Sequence, residues 1–173
     1  EAEDTRYYIP IYDYPNNMTT TEMILTVPAS WVTVSNGKLM SVKAEAGGMK
    51  TWSWNQSKPH ATYLISIVAG EFEEGKETWR NIPVTYYAPK GRAERIAPSS
   101  NHVKQILDFF SDKLGVRYPW DKYAVSFVDD FVAGGMENTT LTVLNNSTLF
   151  TPETENLHSS EGVVAHELAH QWF

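Results

Sequence analysis

The residues best suited to chemistry lie in the segment Ser160 to Phe173, which reads S-E-G-V-V-A-H-E-L-A-H-Q-W-F. It contains the arrangement H-E-x-x-H at His166, Glu167 and His170. Residues four apart on a helix are separated by about 40° around the axis and about 6 Å along it, so both imidazoles can touch one metal ion. Glu167 projects about 100° away from His166, where it can accept a proton from a water molecule that the metal activates. The spacing therefore predicts a zinc site with Glu167 as the general base.

The alternative for this segment is an ordinary helix with two solvated histidines and a surface glutamate. The apolar residues of the segment argue against it, because they predict a largely buried helix in which paired histidines need partners. These residues are Val163, Val164, Leu168, Trp172 and Phe173.

Composition limits the other possible functions of the 173-residue chain. It is 42% hydrophobic and carries a formal net charge of -7, which favours a globular fold and disfavours a nucleic-acid or anionic-membrane surface. There is no cysteine, and hence no disulfide and no thiolate ligand. No apolar run is long enough to span a membrane, and Glu1-Ala2-Glu3-Asp4 is unlike a signal peptide. We expect the chain to begin inside a larger protein. The sequence does not indicate the cellular compartment of that protein.

Residues 1–88 are predicted to form short β-strands separated by turns. Three pairs of residues look like the turns, namely Asn36-Gly37 as a type I′ hairpin, Gly47-Gly48 and Gly75-Lys76. The predicted strands are Met23 to Val27, Trp31 to Ser35, Leu39 to Ala44, Met49 to Trp54, Thr62 to Val68, Phe72 to Trp79 and Val84 to Tyr87. This spacing indicates an antiparallel sheet or half of a sandwich.

A polar Pro/Gly stretch at Ala88 to Arg92 marks the predicted domain boundary, with a mixed α/β piece in residues 89–173. Apolar residues then follow helical spacing from Val103 to Leu114, with Gly115 just past the end and Ser99, Ser100 or Asn101 as candidate N-caps. Strands are predicted at Tyr123 to Val128 and Leu141 to Leu144, and a polar connection at Thr151 to Ser159 leads into the histidine helix. The predicted fold class is thus α+β.

A second candidate site segment is Gly134-Gly135-Met136-Glu137-Asn138, between two predicted strands. The glycines let the backbone approach a ligand closely, and Glu137 can present a carboxylate to it. Taken alone, the segment is more typical of a simple Gly-Gly turn or bulge with a solvated glutamate.

Together with H-E-x-x-H, this segment resembles the G-x-M-E-N motif of zinc aminopeptidases of the aminopeptidase N family, which includes leukotriene hydrolase and belongs to the gluzincin metallopeptidases. The motifs occur here in the family's order. The segment His166 to Phe173 (H-E-L-A-H-Q-W-F) also matches the family at residues other than the metal ligands. Phe110 to Trp120 resembles the family's helix and G-x-x-Y-P turn, and Arg6 to Pro15 resembles its N-terminal-domain signature. The resemblance implies the end of an N-terminal β domain followed by the first part of a thermolysin-like catalytic domain.

The resemblance also implies the roles of individual residues. His166 and His170 would bind the zinc, and Glu167 would act as the general base. Glu137 would bind the α-amine of a peptide with a free N-terminus. The backbone of Gly134 and Gly135 would hydrogen-bond the substrate chain.

Three further positions follow from the same resemblance. Met136 and Asn138, the M and N of the motif, would belong to the substrate-binding segment. Glu1 occupies the place of a family Glu or Gln that also grips the amine, although a solvated acidic terminus is an equal alternative there.

The family's third zinc ligand, a glutamate, and its catalytic tyrosine would fall beyond Phe173. A catalytic zinc normally has three protein ligands and a water. We therefore expect an incomplete catalytic domain that is inactive alone, from a protein that removes N-terminal residues from peptides. A zinc endopeptidase, an epoxide hydrolase on the same scaffold and a non-catalytic interaction module are the alternatives.

Overall fold

The computed structural model describes residues 5–154 and 156–173, which form mainly β-sheet with a few helices, so the predicted α+β class is confirmed. The chain forms two compact units. The first contains the described residues up to Glu71 together with Asn138–Leu141, and the second contains Phe72–Glu137 and Thr142–Phe173. The helices of the described residues are all too short or too polar to cross a lipid bilayer.

The first unit contains two antiparallel sheets, one with the strand order β1-β4-β3 and one that pairs β2 with β5. These strands are β1 (Met18–Pro28), β2 (Val32–Ser35), β3 (Lys38–Glu45), β4 (Met49–Ala61) and β5 (Ile67–Gly70). Side chains of β1 alternate between exposed and half-buried, as expected when one face of a sheet is covered. Trp54 of β4 lies opposite Met23 and Leu39 and is buried, and its indole nitrogen donates to Thr33 Oγ1 of β2 at 3.1 Å. This bond links the two sheets of the unit.

The predicted hairpin at Asn36-Gly37 is wrong, because β2 and β3 belong to different sheets. Gly37 has a φ of 76°, but Asn36 is not among the residues with positive φ, which a type I′ turn requires at both central positions. The Asn36 side chain instead donates to Thr139 O at 2.7 Å and Leu64 O at 3.0 Å. Its Oδ1 also accepts from Ser66 N at 2.9 Å. Asn36 thus ties together several loops of the unit.

Of the other two predicted turns, one is observed and one is not. Gly47-Gly48 does connect β3 to β4, with both φ angles positive at 71° and 72°. The predicted turn at Gly75 is wrong, because Gly75 lies inside a strand opposite Tyr86. A Cβ atom there would come within 3.1 Å of Ile96 Cγ2, so glycine makes room for a close neighbour instead of a turn.

The second unit is built on a five-stranded sheet with the order β6-β7-β8-β10-β9. Its strands are β6 (Phe72–Trp79), β7 (Ile82–Pro89), β8 (Tyr123–Val128), β9 (Gly135–Met136) and β10 (Leu141–Asn145). Positive φ angles at Arg80 and Asn81 turn the chain between β6 and β7. These two strands, which sequence analysis placed before the boundary at residues 88 and 89, pair within the second unit. The division of the protein into domains at residues 88 and 89 stays a prediction.

The β7–β8 pair is parallel, so the chain must cross from one end of the sheet to the other, and it does so through helices. They are α1 (Ile96–Ser100) and α2 (Val103–Leu114), while α3 (Glu161–Ala169) comes later in the chain. The predicted helix from Val103 to Leu114 is observed and ends at Gly115 with a φ of 66°. Ser99 and Ser100 lie inside α1, and Asn101 follows its end. The residue before α2 is His102, so all three candidate caps are wrong.

The core of the second unit lies between this sheet and the helices. Val103 and Leu107 of α2 and Leu168 of α3 are fully buried in it. Burying an aliphatic side chain of this size contributes about 1.5–3 kcal/mol, so packing of this kind holds α3 in place. The same cluster includes the sheet residues Val84, Tyr86, Tyr123, Val125, Phe127 and Leu144.

Candidate active site

Helix α3 positions the three residues of the H-E-x-x-H arrangement. Its buried side, Val164 and Leu168, packs into the core, as the apolar pattern predicted. At its start, Ser160 Oγ donates to Ser99 O at 2.5 Å, which ties the helix to α1. Phe173, in contrast, is 81% exposed in this chain, so its burial stays a prediction for the complete catalytic domain.

The imidazoles of His166 and His170 converge. Their Nε2 atoms lie 3.3 Å apart, and the ring planes are inclined by 79°. Two nitrogen ligands about 2.05 Å from a tetrahedral zinc ion are separated by about 3.3–3.4 Å. The two rings therefore fit two corners of a zinc coordination shell. Within residues 5–154 and 156–173, no three His, Asp or Glu side chains converge to hold a metal.

Glu167 is buried, with 6% of its surface exposed, although it lies between two accessible histidines. Burial raises the pKa of its carboxyl above the ordinary value, and the negative charge of Glu137 raises it further, while His166 and His170 lower it. A carboxylate with a raised pKa is a stronger base. Its burial argues against the alternative of a solvated surface glutamate.

The G-G-M-E-N segment runs beside Glu167. Gly135 and Met136 form strand β9, which pairs with Leu144 and Val143 of β10. A Cβ atom on Gly135 would approach Glu167 Cγ and Cδ to 2.8 Å, so the glycine allows the strand to pass close to this side chain. Gly134 O accepts from Asn145 N at 3.0 Å, which extends the pairing by one residue.

Glu137 and Asn138 fall on different sides of the division between the compact units. Glu137 belongs to the second unit, where its backbone carbonyl accepts from Gln171 Nε2 at 3.3 Å. Asn138 belongs to the first unit, where its amide donates to Leu64 O at 3.3 Å. The remaining predicted residue, Glu1, lies outside the described residues.

Sequence reasoning missed the residues that fix the end of α3. Trp120 Nε1 donates to Gln171 O at 2.9 Å, and Trp172 Nε1 donates to Val116 O at 3.0 Å. The Trp172 ring also contacts Tyr118, with centroids 5.4 Å apart. Gln171 is buried, with 4% of its surface exposed. Gln171 follows the candidate ligand His170 directly, but its burial cannot be judged from the letters H-Q-W-F alone.

Comparison with protein families gives two matches along this chain. The Peptidase M1 N-terminal domain matches residues 1–64, and the Peptidase family M1 domain matches residues 99–173. The chain belongs to peptidase family M1. The match to the Peptidase family M1 domain includes both candidate site segments, from Gly134 to Asn138 and from His166 to His170.

Curated proteins that are similar to this M1 chain carry aminopeptidase names. Aminopeptidase M1 of Arabidopsis thaliana is 34% identical over 100% of this chain and 20% of its own length. Aminopeptidase N of Acetobacter pasteurianus is 32% identical over 99% of this chain and 50% of its own length. Glutamyl aminopeptidase of Rattus norvegicus is 30% identical over 100% of this chain and 19% of its own length. The chain thus spans half or less of these relatives.

Proposed function

We propose that this chain is part of a zinc-dependent aminopeptidase that releases the N-terminal residue of peptides. The observation that carries the proposal is the 3.3 Å separation of the His166 and His170 Nε2 atoms beside a buried Glu167. The chain together with the rest of its catalytic domain is called the complete protein below. Names of the relatives support the peptidase class, since each of the three is called an aminopeptidase.

His166 and His170 would hold the zinc, with a further ligand from the complete protein. When bound, zinc supplies a Lewis acid that polarises the scissile carbonyl and acidifies water. Glu167 takes the proton from the attacking water and later delivers it to the leaving amine. Its burial supports this role, because a desolvated carboxylate binds a proton more readily and has few competing water molecules.

The G-G-M-E-N segment would hold the peptide. Strand β9 is the last strand of its sheet, so the outer edge formed by Gly135 and Met136 can hydrogen-bond an extended chain. Gly134, whose carbonyl already accepts from Asn145 N of β10, would contact the substrate chain through the rest of its backbone. Glu137 follows directly and would pair with the substrate's α-ammonium group, which limits cleavage to the first residue.

The alternatives differ in what Glu137 meets. An endopeptidase would accommodate peptide chain on both sides of the scissile bond, so a carboxylate there would have no ammonium partner. An epoxide hydrolase would not need a peptide-binding strand edge. A non-catalytic module would need neither a buried base nor paired imidazoles, and this chain has both.

The replacement Glu167→Gln in the complete protein tests the proposal. Because the substitution removes the base but neither imidazole, zinc content should stay near one per protein while kcat falls by about 10²–10⁴. Metal analysis and turnover of an aminoacyl chromogenic substrate measure the two quantities. Glu161→Gln is the matched control, since Glu161 lies on the same helix but is exposed and pairs with His102. A parallel loss of zinc and activity in Glu167→Gln would contradict the role of base.

A further inference from the structure

Gln171 connects the candidate metal helix with the candidate amine-binding residue. It follows His170 directly, and its side-chain Nε2 donates to the backbone carbonyl of Glu137 at 3.3 Å. Both residues belong to the second compact unit. The Gln171 side chain is buried, and a hydrogen bond in such surroundings is costly to lose because water cannot replace it easily.

Glu137 needs an anchor of this kind. The last pair between β9 and β10 joins Met136 to Val143, so Glu137 lies one residue beyond the ladder. A bond to the Glu137 carbonyl restricts rotation of this peptide unit, and with it the direction of the carboxylate. The amide of Gln171 supplies that bond from the metal side.

The turn that carries Gln171 is itself fixed. Gln171 N donates to Leu168 O at 3.1 Å, and Gln171 O accepts from Trp120 Nε1 at 2.9 Å. These bonds use the backbone, so the side chain can be replaced without removing them. A single rigid turn therefore holds a candidate zinc ligand, His170, and the backbone of Glu137.

We propose that Gln171 is a positioning residue that sets the distance between the Glu137 carboxylate and the metal-binding histidines, and with it the preference for a free amine. The inference rests on the proposed function. An aminopeptidase must place the substrate ammonium one residue away from the metal, so a displaced Glu137 would weaken amine recognition without removing the metal site.

The test measures binding of two inhibitors to the complete protein by calorimetry. One is an amino-acid hydroxamate with a free amine, and the other is the same hydroxamate without the amine. Gln171→Met keeps the size of the side chain but removes its donor, and Gln171→Ala is the second variant. Gln105→Ala, an exposed glutamine on α2, is the matched control.

We expect both Gln171 variants to retain zinc. Their preference for the amine-bearing inhibitor should fall by about tenfold, the size of one hydrogen bond. In a Glu137→Ala background, Gln171→Met should cause no further loss of preference, because Gln171 acts through Glu137. Gln105→Ala should bind both inhibitors as the unmodified protein does.

Equal weakening of both inhibitors would overturn the inference, since that is the result of a merely structural role. So would a tenfold loss that persists in the Glu137→Ala background. If the unmodified protein shows no preference for the amine, the proposed function itself fails and the inference fails with it. If the unmodified protein shows the preference and Gln171→Met keeps it in full, only the inference fails.

Discussion

Gly37 and Gly47 have similar positive φ angles, 76° and 71°, but different surroundings. A Cβ atom on Gly37 would come within 2.6 Å of Gln56 Cα, whereas one on Gly47 would meet no atom within 4 Å. Gly47→Ala should therefore cost only the conformational penalty of about 1 kcal/mol. Gly37→Ala should cost at least about 3 kcal/mol, because the backbone of β4 must also move. Urea unfolding of the purified variants measures both, and equal losses would contradict the assigned clash.

The pair Asn36-Gly37 shows why a short sequence pattern can predict a turn incorrectly. Asn-Gly between apolar runs normally indicates a hairpin, but here the chain only bends at this pair, with positive φ at the glycine. The partners of the Asn36 side chain, Leu64 and Thr139, lie far away in the sequence. Bonds over such separations leave no local pattern, so the hairpin prediction failed.

At the site, local spacing was more informative. His166 and His170 are four residues apart, and helix geometry alone brings their rings together. Gln171 and Glu137 are 34 residues apart and meet only because β9 packs beside α3. The candidate ligands and base could thus be predicted from the sequence, and the residue proposed to position Glu137 could not.

Among the elements, strand β4 carries a buried histidine with a consequence for acid stability. His60 is 1% exposed, and its Nε2 lies 3.1 Å from Thr21 Oγ1 of β1. Its Nδ1 has no hydrogen-bond partner among the described residues. Burial lowers the pKa of His60 to about 4 from an ordinary 6.5. The folded protein thus keeps this imidazole neutral where the unfolded chain protonates it.

The contribution of His60 to the unfolding free energy should therefore be complete above a pH of about 6.5. It should fall as the pH is lowered towards about 4. At pH 5 the loss from His60 should be about 2 kcal/mol. In His60→Gln, the decrease in unfolding free energy between pH 7 and pH 5 should be smaller by that amount. Urea unfolding at the two pH values measures it, with exposed His158→Gln as the control. An unchanged pH dependence in His60→Gln would show that burial of His60 does not govern acid stability.

Several strands and helices were predicted to the residue, and others were not. The segments Phe72–Trp79, Tyr123–Val128 and Val103–Leu114 have the predicted bounds. The run from Thr62 to Val68 does not, because Thr62–Leu64 forms a 3₁₀ turn and β5 begins at Ile67. Its β-branched and aromatic residues favour a strand, but pairing of β5 with β2 starts only at Ile67 opposite Ser35. Tertiary pairing, which propensity does not include, set this boundary.

On the scale of the whole molecule, the proposed metal site has two ligands from this chain. Two imidazoles fill half of a tetrahedral shell, and the described residues bring no third metal-binding side chain to them. This chain alone should therefore bind zinc at least about 10–100-fold more weakly than the complete protein. Calorimetric titration of both proteins measures the difference, with His166→Ala as the control that removes the residual binding. A one-to-one site of equal affinity in this chain would mean that another of its residues completes the shell.

In the proposed function, His166, Glu167 and His170 serve the cleavage of a peptide bond next to an ammonium group held by Glu137. The most direct measurement is mass spectrometry of the products that the complete protein forms from two peptides of identical sequence, one with a free N-terminus and one acetylated. We expect stepwise loss of single N-terminal residues from the free peptide and almost no cleavage of the acetylated one. In Glu137→Ala, cleavage of the free peptide should fall by about 30-fold or more, as for a truncated buried ion pair. Cleavage inside the chain, or equal cleavage of both peptides by the unmodified protein, would contradict the account.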